Sequence, residues 1–209
     1  EALAFGADVT SVLWKERAQP VPGLSCAVQY AAGEELFDYA SPMKNSPGPL
    51  FTVKIPAEDT AAPIRRAIVL ESVQDPGNVG TVIRTANAFG IDAVILTGNC
   101  ADLYNPKTVR ATMGAIFRQR VLCRGVDELM PLLAGNGLAL YGAALSARAA
   151  DIRRVDVKNA AVAIGSEGSG LSAALLALCR GEVIIPMQPD SESLNAGVAA
   201  SVVMWEMAR

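Results

Sequence analysis

Residues 67–90 read Ala67-Ile-Val-Leu70-Glu-Ser-Val-Gln-Asp75-Pro-Gly-Asn78-Val-Gly80-Thr-Val-Ile-Arg84-Thr-Ala-Asn87-Ala-Phe89-Gly90. A short apolar run gives way to turn formers, and the apolar positions after them recur with a helical period. The stretch is a strand, a loop and a helix, with Asn78 as candidate N-cap. At about 100° per residue, Val79, Val82, Ile83, Ala86 and Phe89 fall on one arc, the face expected to meet a core, while Gly80, Arg84 and Asn87 share the other side. Arg84 is therefore expected to point outward. Gly80, one turn earlier and lacking a side chain, is expected to leave open space beside the guanidinium for a substrate group. A solvated surface arginine and a tolerated helix glycine account for the same local spacing equally well.

Working outward, apolar β-rich runs at Ala67–Leu70, Ala93–Leu96, Arg120–Cys123, Leu138–Tyr141, Ala161–Ile164 and Val183–Ile185 alternate with helical stretches. That alternation predicts an α/β domain over 64–209, with six strands in an open, mainly parallel sheet. Helices are expected at Val79–Phe89, Val126–Leu133, Ser172–Cys179 and Leu194–Met207, with a looser segment at Asn105–Met113. Before this domain, residues 1–56 read as a small α/β unit: the end of an apolar helix at Glu1–Gly6, strands Val9–Trp14 and Ser25–Tyr30, a short helix Glu34–Tyr39 and a strand Leu50–Ile55. The loop Ser41–Pro49 is too rich in turn formers to continue a helix. Residues 57–63, bounded by Pro56 and Pro63, are expected to link the two parts. With no initiator Met and an opening like a helix end, the sequence is expected to be an incomplete or processed chain.

Composition narrows the function classes. The 209 residues are 51% hydrophobic and 19% charged, too apolar for a disordered tail. No run approaches the roughly 20 apolar residues of a membrane span, and no signal peptide is legible, so no membrane partner and a cytoplasmic or organelle-matrix home are expected. There is no His, which removes Ser-His-Asp and Cys-His catalysis and leaves the usual zinc patterns without an imidazole; no metal is expected. Cys26, Cys100, Cys123 and Cys179 lie singly and are expected to be buried reduced thiols. A net charge of −3 gives no global basic field, so any nucleic-acid contact must be local. Basic residues group at Arg65-Arg66, at Arg118, Arg120 and Arg124, and at Arg148, Arg153, Arg154 and Lys158, where ordinary solvated arginines remain the simpler reading.

Two further segments carry potential chemistry. Ala161-Val-Ala-Ile-Gly165-Ser-Glu167-Gly-Ser-Gly170-Leu-Ser172 is a strand breaking into a glycine-rich turn whose amides can approach a ligand closely. Its G-x-x-G-x-G spacing matches neither the dinucleotide fingerprint nor a Walker loop, which weighs against a nucleotide-dependent oxidoreductase. Glu167 either orients a ligand or bonds the loop's own amides. In Val183-Ile-Ile185-Pro-Met187 through Ser193-Leu194-Asn195 to Trp205, a strand leaves the sheet, loops, and enters the last helix. Ser193 is the expected N-cap, and Leu194, Val198, Val202 and Trp205 form the stripe of a helix packed on one side. Ser193 and Asn195 bracket the helix entrance, beside unpaired backbone amides.

Together, N-x-G-x-x-x-R at Asn78–Arg84, G-S-E-G-x-G at Gly165–Gly170 and I-P-M…S-L-N at Ile185–Asn195 resemble the three motifs of the SPOUT superfamily, TrmH (SpoU) branch, in order and spacing, with Met113-Gly-Ala-Ile-Phe117 similar to the family's intervening segment. Residues 1–56 more loosely resemble that family's N-terminal RNA substrate-binding domain, a ribosomal-protein-like α/β fold, without its first strand and helix. The resemblance implies a C-terminal trefoil knot and a homodimer formed through it. It implies S-adenosylmethionine as methyl donor, surrounded by Thr97, Gly165, Ile185, Met187 and Leu194, and methyl transfer to a ribose 2′-hydroxyl of structured RNA, with ribosomal and transfer RNA both open and ribosomal RNA the favoured one. It implies Arg84, Asn78, Glu167, Ser193 and Asn195 as the catalytic set. The resemblance implies Arg84 as the proton acceptor, but a guanidinium resists deprotonation, so a phosphate clamp and alkoxide stabiliser is the preferred of the two roles left open. Lys44, Arg65 and Arg66 are the expected RNA contacts. A non-catalytic RNA-binding protein on the same scaffold is the rival reading, against which the intact motif residues argue.

Overall fold

A computed structural model of the chain describes residues 1–18, 21–24, 28–59, 62–188 and 193–209. The chain forms two compact units, Glu1–Ala57 and Glu58–Arg209.

In the first unit, strands β1 (Val9–Lys15), β2 (Val28–Ala32) and β3 (Leu50–Val53) and helix α1 (Glu34–Ala40) surround a small core of Val9, Val12 and Phe37. The sheet order is β2-β1-β3, with β1 parallel to β2 and antiparallel to β3. Lys15 ties helix to sheet, its ammonium 5.0 Å from the centre of the Phe37 ring and 3.3 Å from the Asp38 carboxylate. The expected strand Ser25–Tyr30 begins at Val28 in the described residues and continues to Ala32; residues 25–27, Cys26 among them, lie outside those described. The expected end of an apolar helix at Glu1–Gly6 is instead one 3-10 turn, Leu3–Phe5, that buries none of its side chains.

The second unit is built on seven parallel strands: β4 (Ala67–Glu71), β5 (Ala93–Thr97), β6 (Val121–Cys123), β7 (Ala139–Ala143), β8 (Ala150–Asp151), β9 (Ala160–Ile164) and β10 (Gly181–Ile184), in the order β6-β5-β4-β9-β7-β10-β8. The strand beyond the six expected is β8, a two-residue edge paired with β10 and too short to leave a pattern in the sequence. Central strands β4, β5 and β9 are buried throughout, because helices cover both faces. Alternation assigns the faces: Ile68 and Leu70 join Val79, Val82 and Ile83 of α2 (Pro76–Phe89) and Val203 and Met204 of α6 (Ala196–Ala208), whereas Ala67 and Val69 join Leu129 and Leu133 of α4 (Val126–Gly135) and Leu175 of α5 (Ala173–Leu178). Helix α3 (Pro106–Ala111) lies against α2.

Three local expectations are corrected. Helix α2 starts earlier than expected, with Pro76 in its first turn; Asp75 is its N-cap, accepting from the Asn78 N–H at 2.8 Å, so Asn78 sits inside the first turn. Gly80 does not leave open space. A Cβ there would stand 2.4 Å from the Ala111 Cβ and 2.6 Å from the Thr108 carbonyl oxygen, so the missing side chain is where α3 packs onto α2. In α6 the N-cap is Asn195, not Ser193, and the buried stripe is Ala196, Ala200, Val203, Met204 and Met207. Of the expected stripe, Val198 and Trp205 face outward, 50% and 55% exposed, and Leu194 and Val202 are half-buried. The helix is apolar nearly all round, so its period does not reveal which face meets the sheet.

Candidate functional site

The sheet order fixes where a crevice opens. From β4 the chain runs outward through β5 to β6, then crosses to the other side of β4 and returns as β9 beside it. Connections leaving the carboxyl ends of β4 and β9 thus diverge, which is where open α/β sheets place their ligands. The three singled-out segments lie at this end: β4 runs into the Asp75–Arg84 loop and helix, β9 into the glycine turn, and β10 into the segment before α6.

The glycine turn is tightly folded. The Gly170 N–H donates to the Ser166 carbonyl at 2.9 Å, and the Ser166 and Ser169 hydroxyls lie 2.8 Å apart. A Cβ on Gly165 would stand 2.1 Å from the carbonyl carbon of Gly170 and 2.4 Å from the Leu171 nitrogen, so only glycine permits the return. From the exposed tip, the Glu167 carboxylate accepts a hydrogen bond from the Asn78 side-chain amide. Gly197, in the first turn of α6, is buried where a Cβ would lie 3.2 Å from both Asn78 Oδ1 and Asn195 Oδ1. Asn78, Glu167 and Asn195, far apart in sequence, therefore meet around the first turns of α2 and α6.

Beside them opens a cleft of about 490 Å³. Its lining includes Gly165, Glu167, Ile185, Met187, Ser193 and Leu194, with apolar Ile164, Leu171 and Val183 below and the Arg148–Glu182 ion pair, 2.9 Å, also on its wall. Four of the five expected cofactor residues are thus cleft residues. Thr97 is not: it closes β5, one strand further from β9 than β4, and is 2% exposed, its carbonyl accepting from the Ser72 N–H at 3.0 Å. Of the expected catalytic set, Glu167 and Ser193 line the cleft, while Asn78 and Asn195 stand behind Glu167. Arg84 is exposed on α2, six residues or about 9 Å of helix rise beyond Asn78, and does not line the cleft. Among the described residues its guanidinium makes no hydrogen bond or ion pair.

The expected RNA contacts divide. Lys44 is exposed beside a hollow of the first unit that also includes Asp38 and Asn45. Arg65 is exposed as well. Arg66 is committed inside the second unit, donating to the Gly90 carbonyl at 3.0 Å and the Met207 carbonyl at 3.4 Å, where it neutralises the carboxyl ends of α2 and α6. Other basic residues are also used internally: Arg120 donates to the Ala62 carbonyl at 2.6 Å, Arg124 forks onto Glu58, and Arg153 bonds Asp151, holding that carboxyl down at about 2. The thiols of Cys100, Cys123 and Cys179 are free but not fully buried: Cys100 lies in the loop after β5, Cys179 at the end of α5, and Cys123, closing β6, is exposed. Partial burial still raises all three, Cys179 to about 11. Among the described residues no cluster of three potential ligands is able to hold a metal ion, and no helix is long and apolar enough to cross a membrane.

One polar residue went unnoticed in the sequence. Glu71 ends β4 and is 7% exposed, with both carboxylate oxygens accepting from Ser172, the backbone N–H at 2.7 Å and the hydroxyl at 2.6 Å. Its only sequence signal is a carboxylate closing an apolar strand.

Comparison with known proteins identifies the family. Residues 65–205 match the SpoU rRNA Methylase family. The chain is 33% identical over 208 residues, 99% of its length and 84% of the relative, to a Bacillus subtilis protein named 23S rRNA (guanosine(2553)-2′-O)-methyltransferase RlmP. It is 33% identical over 168 residues, 75% of its length and 58% of the relative, to the 23S rRNA (uridine(2479)-2′-O)-methyltransferase of Streptomyces viridochromogenes. The crystal structure of the SpoU methyltransferase AviRb from Streptomyces viridochromogenes superposes with a TM-score of 0.88 at 27% identity, covering 99% of this chain and 84% of that one. The same enzyme in complex with the cofactor AdoMet gives a TM-score of 0.86 at 26% identity, covering 99% and 85%. Fold, motif order and overall similarity place this chain in the SpoU rRNA methylase family.

Proposed function

We propose that this protein transfers a methyl group from S-adenosylmethionine to a ribose 2′-hydroxyl of ribosomal RNA. The observation that carries the reading is the meeting of Asn78, Glu167 and Asn195 beside a cleft walled by Gly165, Ile185, Met187 and Leu194. Relatives named as 23S rRNA 2′-O-methyltransferases and a neighbour crystallised with AdoMet support it. The cleft fits the donor: its volume lies in the range of small-molecule sites, its floor is apolar as an adenine requires, and the glycine turn leaves backbone at its edge.

When bound, the donor supplies a methyl group on a sulfonium centre that is already electrophilic. The protein's share is positioning and electrostatics. Ile185, Met187 and Leu194 hold the donor against the glycine turn, and Glu167, steadied by Asn78, with Ser193 and Asn195 orients the ribose. Arg84, without a hydrogen bond or ion pair among the described residues, clamps an RNA phosphate and stabilises the alkoxide as the proton passes to that phosphate or to water. Residues 1–56 serve as the RNA substrate-binding domain, with residues 57–63 as the link and Lys44 and Arg65 as phosphate contacts; Arg66 is withdrawn from that set by its internal bonds. The carboxyl-terminal part of the second unit forms a trefoil knot, and the outward face of α6, with Val198 and Trp205, is covered by a second copy in a homodimer. Work on ribosomal RNA carries with it a cytoplasmic location.

The test is calorimetric titration of S-adenosylmethionine and S-adenosylhomocysteine into the full chain, with NAD and ATP as controls, followed by transfer of labelled methyl to ribosomal RNA. Saturable binding of the methyl compounds alone and label recovered as 2′-O-methylribose are expected. Absence of donor binding, with RNA present, would return the chain to a non-catalytic RNA-binding role.

A further inference from the structure

We infer that Glu71 is a positioning residue that sets the height and shape of the donor-binding turn through Ser172. The inference rests on the proposed reading of the cleft as a donor site. Glu71 follows Leu70, which pairs with Ile164 on β9, so its carboxylate stands at the level where β9 breaks into Gly165. The chain leaves the sheet there, folds back through Gly170, and reaches Ser172. Both Ser172 donors turn to Glu71, the N–H at 2.7 Å and the hydroxyl at 2.6 Å, one to each carboxylate oxygen. The same hydroxyl accepts from the Leu175 N–H at 3.1 Å, so it also caps α5.

The turn is therefore pinned to the end of β4 twice, by the β4–β9 ladder at its start and by Glu71 at its finish. Between the pins lie Gly165 to Leu171, the lip of the cleft, and Glu167, which Asn78 holds from the α2 side. A charge 7% exposed is costly to bury unless its hydrogen bonds are made, and here both oxygens are satisfied by a single residue of the turn. If the turn lifts, the carboxylate is stranded. Glu71 thereby favours the closed turn without touching a ligand, since it is not among the residues lining the cleft.

The experiment measures S-adenosylmethionine affinity and KM, RNA KM and kcat for Glu71→Ala, Glu71→Gln, Ser172→Ala and the Glu71→Ala/Ser172→Ala double variant of the full chain, with circular dichroism and melting curves. A residue that merely fills the core lowers stability and leaves the balance between the two KM values unchanged. The expected result is a donor Kd weakened about tenfold or more in Glu71→Ala, an unchanged RNA KM, partial rescue by Glu71→Gln, and a double variant no worse than Glu71→Ala. Donor affinity within about twofold of wild type in folded Glu71→Gln and Ser172→Ala overturns the inference, and decides the matter even if Glu71→Ala fails to fold. Wild-type protein that binds no S-adenosylmethionine overturns the reading of the cleft itself, a result separable from loss in the variants alone.

Discussion

The two ends of helix α2 are held by different kinds of contact. At its start, Asp75 caps the helix, the Asn78 amide reaches across to Glu167 at the lip of the cleft, and Gly197 of α6 packs against Asn78. At its finish, Gly90 turns the chain in the left-handed region, Arg66 bonds the Gly90 carbonyl, and Phe89 meets Trp205 edge to face at 5.6 Å. One end assembles a site and the other fastens a scaffold. Arg84 and Arg66 make the contrast concrete: the first, on α2, makes no internal bond among the described residues, and the second neutralises two helix carboxyl ends. An arginine spent on carbonyls inside the fold serves stability, whereas one left without them is available to a substrate.

Substitutions along and around this helix sharpen or break the contrast. Arg84→Ala is expected to lower kcat by about 10²- to 10³-fold, the usual cost of removing a donor aimed at developing negative charge, with the melting temperature and donor affinity kept. Substantial residual turnover in a methyl-transfer assay would remove Arg84 from the chemistry. Gly80→Ala should act on the fold instead: the added methyl meets Ala111 and Thr108 of α3, at a cost of about 1–3 kcal/mol, visible as a melting temperature lowered by about 2–4 °C per kcal/mol. An unchanged melting curve would show that α3 gives way freely. Lys44→Glu with Arg65→Glu is expected to weaken RNA binding and to reduce the salt dependence of affinity by about one unit of slope for each phosphate no longer neutralised, sparing donor binding; equal RNA affinity across salt concentrations would exclude both residues. Smallest is Arg66→Ala, expected to destabilise by about 1 kcal/mol through removal of its carbonyl bonds and helix-end charge, with kcat unaltered. Loss of activity without loss of stability there would erase the distinction between the two ends.

Much of this was legible in the sequence because it depends on short-range pattern. Unbroken apolar runs such as Ala160–Ile164 require a strand covered on both faces, and their alternation with helical periods requires a parallel sheet. Arg84 was placed outward by period alone, and its exposure agrees. The missed features have physical reasons. Asp75 and Asn78 are both good caps three residues apart, and the choice between them depends on where Pro76 begins the helix. Gly80 and Arg84 share a side of α2, yet one is buried and the other exposed, because α3 arrives from residues 106–111. The last helix offers apolar residues in every direction, so Val198 and Trp205 looked as fit for the core as Val203 and Met204.

By itself, then, the sequence determined the fold class, the order of six of the seven strands of the second unit along the chain, and which three segments carry unusual chemistry, since each rests on residue types within a few positions of one another. Only the tertiary structure decided that β9 inserts beside β4, that Asn78 reaches Glu167, that Arg66 is consumed by helix ends, and that Glu71 grips Ser172, 101 residues away. These contacts join residues whose chemistry is ordinary when read alone. What distinguishes them is the loss of water around them and the partner that replaces it, and neither is fixed until the sheet has closed.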